Sequence, residues 1–268
     1  MSDLQDLVTR IAGWARDGEQ IEAYAVEGRE TEVTVYDAEV ESLSSATSAG
    51  VGIRVLRDQR QGFAYAGSLD PDVVEETLAE ARDNAGFGTP DEHLGLAVPD
   101  GVVAAELDLW RDELAGFPTD RKVELAMELE RRVKAGDPRI KSIHSSDYGD
   151  AMVNVAIATS TGITAAYRRS TCVVSVYALA GDDTETQTGG GYSIGRGPDE
   201  LDMDEAADDA VERATRMLGA RKPPSARVPV VLDPKVTATL LSVLAGTLSG
   251  EAVLKGRSLF ANRVGESV

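Results

Sequence analysis

The sequence is poor in the residues from which most enzyme sites are built. Among 268 residues there is one cysteine, Cys172, and there are two histidines, His93 and His144. A single cysteine excludes a disulfide within the chain, which fits a reducing cytoplasm. Long apolar runs are missing too: none approaches the roughly 18 to 20 consecutive apolar residues that span a bilayer. The opening residues, Met1-Ser-Asp-Leu-Gln-Asp, are acidic and lead into an amphipathic pattern, unlike a signal peptide. Positive charge is also scarce. The formal net charge is -19 and the sequence pI is about 4.5, so the chain repels phosphate backbones and direct nucleic-acid binding is disfavoured. The densest basic spots, Arg168-Arg169 and Arg221-Lys222, are short and read as solvated surface charge.

What is present is a clear alternation of helix and strand patterns. Leu4, Leu7, Val8, Ile11, Trp14 and Ala15 recur at helical spacing, which predicts a helix over residues 3–17 ended by Gly18. Period-two segments then predict strands at 21–26, 31–42, 51–56 and 62–66, with turns at Arg29-Glu30, Ala49-Gly50 and Asp58-Gln59. Asp70-Pro71 opens a second helix. A long proline- and glycine-containing connection over 86–118 follows. Thr119 is expected to cap a third helix with a face of Val123, Ala126, Met127, Glu130 and Val133, closed by Gly136-Asp-Pro. Strand character returns over 140–180, with turns expected near Gly149-Asp150 and at Thr159 to Gly162. A glycine-rich loop, Gly189 to Gly197, then leads to a helix over 204–218. Residues 221–227 read as a linker, Val228 to Leu232 as a short buried strand, and Pro234 as the start of another helix. Helix, strands, helix occurs twice, which hints at two related halves. Strands in runs, with helices between the runs, predict an α+β fold of antiparallel sheets with packed helices.

Few constellations carry chemistry. Gathering His93, His144 and Cys172 into a metal site needs three distant segments to converge, and their spacing gives no sign of it. The acidic run Asp202 to Asp209 lies on a helix without the glycine turn of a calcium loop, so it reads as a solvated face. Gly189 to Gly197 lacks the Gly-Lys-Ser/Thr ending of a phosphate loop. It is either a mobile connection or a substrate-facing segment, with Tyr192 as an aromatic contact and Arg196 as a partner for carboxylates or peptide backbone. No Gly-x-Ser-x-Gly elbow is present, and a hydrolase built on carboxylates such as Glu251 has no paired acid in view. In the segment Ser249 to Lys255, Glu251 and Lys255 are four apart on one helical face and form an i,i+4 ion pair.

Several segments together resemble one family. Glu39-Val-Glu-Ser42, Gly50-Val-Gly-Ile-Arg-Val55 and Gly62-Phe-Ala-Tyr65 are similar to the N-terminal signature of the TldD/PmbA family, once called modulators of DNA gyrase. Gly191-Tyr192, Glu205-Ala-Ala, Pro229-Val-Val-Leu-Asp-Pro234 and Ser258-Leu-Phe260 follow in the family's order. The resemblance implies an N-terminal α+β domain over 1–222. It implies a linker with the start of a metallopeptidase-like C-terminal domain over 223–268, truncated relative to the family. Catalytic members of the family carry His-Glu-x-x-x-His on the helix at this point and hold zinc. Here the matching positions are Gly250, Glu251 and Lys255. The carboxylate is retained and both imidazoles are gone, and a protonated lysine donates hydrogen bonds without ligating a cation. The resemblance therefore places the chain with the PmbA/TldE type, with no metal or cofactor of its own. It implies a cytoplasmic heterodimer in which a TldD-type partner bears the zinc and cleaves peptides or unfolded proteins. The alternative is a stand-alone peptide-binding or protein-interaction domain without catalysis.

Overall fold

In the computed structural model, which describes residues 2–182 and 184–267, the chain divides into two units, Met1–Ala220 and Arg221–Val268. The first runs α1 (Ser2–Ala12), β1 (Gln20–Tyr36), β2 (Glu39–Arg57), β3 (Arg60–Ala66) and α2 (Pro71–Phe87). After a long connection it continues α3 (Thr119–Gly136), β4 (Ile140–Thr159), β5 (Thr164–Gly181), β6 (Thr186–Gly195) and α4 (Met203–Thr215). The pattern of helix, three strands, helix occurs twice. All six strands join one antiparallel sheet in the order β3-β2-β1-β4-β5-β6, so the two halves meet where β1 pairs with β4. The expected α+β class, antiparallel strands with packed helices, is what forms.

Strand alternation places the core. On β1, Ile21, Ala23 and Ala25 are buried beneath α1 and α2, while Val33 and Val35 are buried beneath α3 and α4. These residues share one parity, so all four helices cover the same face of the sheet. Val8, Ile11, Val74 and Leu78 complete the first core, and Leu129, Tyr148, Val174 and Ala210 belong to the second.

The structure corrects several local expectations. The strands run through three of the expected turns: Arg29-Glu30, Ala49-Gly50 and Gly149-Asp150 all lie within paired ladders. The chain reverses at Asp58-Gln59, as expected, and also at Asp37-Ala38, inside the segment read as one strand; both residues of each pair take φ of 50° to 63°. Those left-handed values match the twist of a two-residue hairpin. The first helix ends at Ala12 and not at residue 17, because the Trp14 amide bonds back to Ile11 at 3.0 Å and tightens the last turn. In α3, Thr119 is the first helical residue and Pro118 takes the cap position. The buried face is rotated to Lys122, Ala126, Leu129, Glu130 and Val133. Two buried polar side chains on that face find partners in the sheet and its hairpin. Lys122 Nζ reaches Asp150 Oδ2 at 2.5 Å and Thr31 Oγ1 at 3.0 Å, and Glu130 Oε2 accepts the Ala38 amide at 2.8 Å.

The glycine-rich segment is a strand, β6, and not a loop. A Cβ at residue 191 would lie 1.9 Å from the Ala206 carbonyl, and one at residue 189 would lie 2.1 Å from the Ala214 amide. Glycine is therefore required for the close approach of α4, not for flexibility. In the second unit, residues 228–232 form no strand. Val228, Val230 and Val231 are exposed, and no strand lies beside them among the described residues of that unit. The unit consists of α5 (Pro234–Thr247), capped by Asp233, and α6 (Gly250–Leu254), capped by Ser249.

Candidate functional site

With every helix of the first unit on one side, none of them covers the opposite face of the sheet, and alternation determines what it carries. Tyr24 pairs with Ile157, Tyr65 with Gly52, Tyr167 with Val155 and Tyr192 with Ser175. Tyr36 and Tyr177 share that side. Six of the seven tyrosines therefore line the open face, and the seventh, Tyr148, is buried under α3. Phe63 joins them, stacked on Tyr65 with centroids 6.2 Å apart. Two of the rings lie beside cross-strand glycines: a Cβ at Gly52 would sit 3.2 Å from Phe63, and one at Gly190 would sit 3.3 Å from Tyr177. The bare glycines leave room for rings to lie against the backbone. Tyr177 also donates to Thr188 Oγ1 at 2.9 Å. Burial, with help from Tyr167, pushes the Tyr24 phenol above its ordinary range. The face thus combines flat apolar rings with hydroxyls at their tips, the make-up of a surface that contacts polypeptide.

Tyr192 lies on this open face, about half exposed, one step along β6 from the exposed Ile194. Arg196 lies just beyond β6 and is already engaged. Its guanidinium contacts the Asp108 carbonyl, Asp108 Oδ2 at 3.3 Å and Glu200 Oε2 at 3.2 Å, while its amide donates to Glu200 at 2.9 Å. Arg111 completes the network with Asp108 at 2.6 Å and Glu200 at 2.7 Å. The hydrogen bond from Arg111 holds the Asp108 carboxyl below its ordinary range, and the Arg196 amide does the same for Glu200. Together these four residues fasten the long connection to the turn after β6. The spacing of Tyr192 and Arg196 in the sequence does not bring them to one contact.

The remaining candidates are dispersed. His93 is in the long connection, where its amide bonds Asp91; His144 stands edge-on to Tyr177; Cys172 is fully buried in the second core. Burial, reinforced by Asp150, pushes the Cys172 thiol up to about 12. Among the described residues, no three His, Cys, Asp or Glu side chains are grouped as a metal ion requires. Asp202 serves as the cap of α4, accepting the Glu205 amide at 2.9 Å.

In the second unit, Ser249 Oγ accepts the Ala252 amide at 3.1 Å and starts α6. Gly250 is its first residue and Lys255 follows its last. Lys255 Nζ meets Glu251 Oε1 at 3.1 Å, the i,i+4 pair that the spacing predicts. Glycine offers no side chain and the ammonium is a donor, so this donor set does not fit zinc. No hydrolytic step is assigned to it.

The fold defines an α+β chain built on one antiparallel sheet, and comparison with known proteins assigns it to a family. Residues 21–85 match the family profile described as PmbA/TldA metallopeptidase domain 1, residues 112–218 its central domain, and residues 225–268 its C-terminal domain. The chain belongs to the TldD/PmbA family. It is 24% identical over 261 residues to the metalloprotease PmbA of Escherichia coli O157:H7, covering 96% of this chain and 57% of that protein. A crystal structure from Bacteroides thetaiotaomicron, named as a candidate modulator of DNA gyrase, superposes with a TM-score of 0.87 at 22% identity. That match covers 99% of this chain and 62% of the other. TldE from Thermococcus kodakarensis gives a TM-score of 0.63 at 20% identity, covering 80% and 46%. The structural likenesses speak for the fold. The chain spans about half to three-fifths of the length of these relatives.

Proposed function

We propose that the chain is the non-catalytic, PmbA/TldE-type subunit of a heterodimeric zinc metallopeptidase that acts on peptides or unfolded proteins. The observation that carries this reading is the replacement of both imidazole positions around Glu251 by Gly250 and Lys255, with Lys255 ion-paired to the retained carboxylate. A zinc-bound water needs its ligands on one subunit, while the other can supply walls and substrate contacts. On this reading the zinc belongs to a TldD-type partner, and the cytoplasm is the location that suits a single buried thiol. Family membership and relatives named metalloproteases support a peptidase-related role.

The test is metal content and activity of the purified chain. The expected result is no stoichiometric zinc and no peptide cleavage alone, with cleavage on addition of a TldD-type subunit. Chelator-sensitive proteolysis by the chain alone overturns the reading. One observation favours a second reading, a stand-alone peptide-binding domain: the tyrosine-lined face lies entirely within the first unit. A pull-down from the native cytoplasm separates the two, since only the first retrieves a TldD-type protein.

A further inference from the structure

The outer edge of β5 is only partly used. β6 pairs with β5 from Cys172 onward, so residues 164–171 have no strand on that side. The chain covers the first of these positions itself: the Ser170 amide donates to the Leu109 carbonyl at 2.9 Å, and the Arg111 amide donates to Ser170 Oγ at 2.8 Å. In an antiparallel strand, both backbone groups of every second residue point to the same side. Because the Ser170 amide points outward, the amides and carbonyls of Arg168, Ala166 and Thr164 point outward as well. Among the described residues, no backbone group from outside the sheet bonds to those three.

Beyond Leu109 the connection stands away from the strand. The space between them is a groove of about 860 Å³, walled by Ala104, Leu107, Asp108, Trp110 and Asp112 on one side and by residues 165–169 on the other; Asp108 is already paired with Arg111, and Asp112 faces Arg168. Arg168 lies 4.5 Å over the Trp110 ring and pairs loosely with Asp112 at 3.8 Å. Arg169 is exposed on the open face, and no described carboxylate lies within ion-pair distance of it. In a chain of net charge -19, two adjacent arginines beside an unpaired strand edge form a local exception.

We infer that this groove takes an extended peptide segment bearing an acidic side chain, added as a strand to the outer edge of β5. The three outward residues offer donors and acceptors at strand spacing, which recognise main chain whatever its sequence. Leu107 and Trp110, on the wall facing the strand, shield those bonds from water. Arg169 selects for a carboxylate, since charge-assisted hydrogen bonds are the stronger ones. Ser170 demonstrates the mode, because Leu109 already occupies the adjoining position as a strand would. The groove lies wholly in the first unit and requires neither zinc nor a second subunit, so it stands or falls separately from the partner reading.

Hydrogen exchange read by mass spectrometry on the full chain tests it. The probe is an acetylated, amidated heptapeptide of alternating Val and Thr with a central Glu, at millimolar concentration. Two controls accompany it: the same peptide N-methylated at alternate amides, and one with Lys in place of Glu. Exchange at residues 164–169 is expected to slow at least fivefold with the probe and not with the N-methylated control. Binding is expected to weaken about tenfold with the Lys control and in Arg169→Ala. Ala166→Pro removes an outward donor without breaking the β4 ladder, as proline is tolerated on an edge, and it is expected to abolish the effect. If that variant does not fold, the N-methylated control and Arg169→Ala decide. Equal protection by the N-methylated peptide, protection only elsewhere on the sheet, or no response to Arg169→Ala overturns the proposal.

Discussion

Three consecutive glycines in β6 should respond to alanine in an alternating pattern. Gly189 and Gly191 face α4, whereas Gly190 faces the open side. A Cβ at residue 191 would stand 1.9 Å from the Ala206 carbonyl oxygen and 2.9 Å from the Ala210 amide. Relaxed carbon contacts lie near 3.5 Å, so α4 would have to retreat by about 1.5 Å. Both obstructing groups are helix backbone and neither can turn aside. The retreat unpacks Ala206, Ala207, Ala210 and Ala214, all buried against the sheet. Overpacking usually costs about 1–3 kcal/mol, and a clash between two rigid backbones belongs at or above the top of that range, at about 3–5 kcal/mol. For a unit of this size the loss lowers the melting midpoint by about 10 °C. Gly189→Ala should behave similarly, since its Cβ would lie 2.1 Å from the Ala214 amide. At Gly190 the nearest atom is in the exposed Tyr177 ring, 3.3 Å away, and the ring can shift. There the entropy removed from the unfolded chain offsets the contact, and the change should stay within about 1 kcal/mol. Thermal and urea unfolding by far-ultraviolet circular dichroism measure all three. Equal shifts for Gly190→Ala and Gly191→Ala, or an unaltered Gly191→Ala, refute the close-approach account.

Other consequences are equally direct. Lys122→Met strands the buried Asp150 carboxylate and should cost about 3–5 kcal/mol in urea unfolding, while the double change with Asp150→Leu recovers most of it. Glu19 is buried, which alone would raise its pKa, but hydrogen bonds from the Arg16 amide and Arg82 outweigh this and hold the carboxyl below its ordinary range. A lowered folded-state pKa gives stability that is present above the unfolded value, near 4.5, and is lost as pH falls through the folded one. The urea midpoint should therefore drop on acidification below about pH 5, and Glu19→Gln should flatten that limb. Cys172, with its thiol pushed up to about 12, should resist alkylation at pH 8 until denaturant is added.

Much of this architecture is legible where the signal is local. Asp70-Pro71 predicts a helix start, and Asp70 does cap α2, accepting the Asp72 amide at 3.3 Å. Asp58-Gln59 predicts a turn and Glu251 with Lys255 an ion pair, and both form within four residues of chain. Legibility fails where a distant segment decides. Gly189 to Gly191 reads as a loop because glycine weakens a strand in isolation, yet α4 requires it there. Val228 to Leu232 has the composition of a strand, but a strand needs a neighbour to satisfy its backbone. Arg196 reads as a substrate-facing cation because, although Glu200 stands four residues on, its other partner Asp108 is 88 residues away.

The residues by themselves determine that Gly250 and Lys255 flank Glu251 and offer no imidazole to a metal, because ligand chemistry is a property of the side chains present. They also determine which residues alternate along each strand. They do not say which of the two alternating sets the helices cover. That choice depends on register between segments more than 100 residues apart, as where Tyr24 meets Ile157. Only the assembled sheet gathers six tyrosines onto one uncovered face and leaves the edge of β5 open beside Trp110.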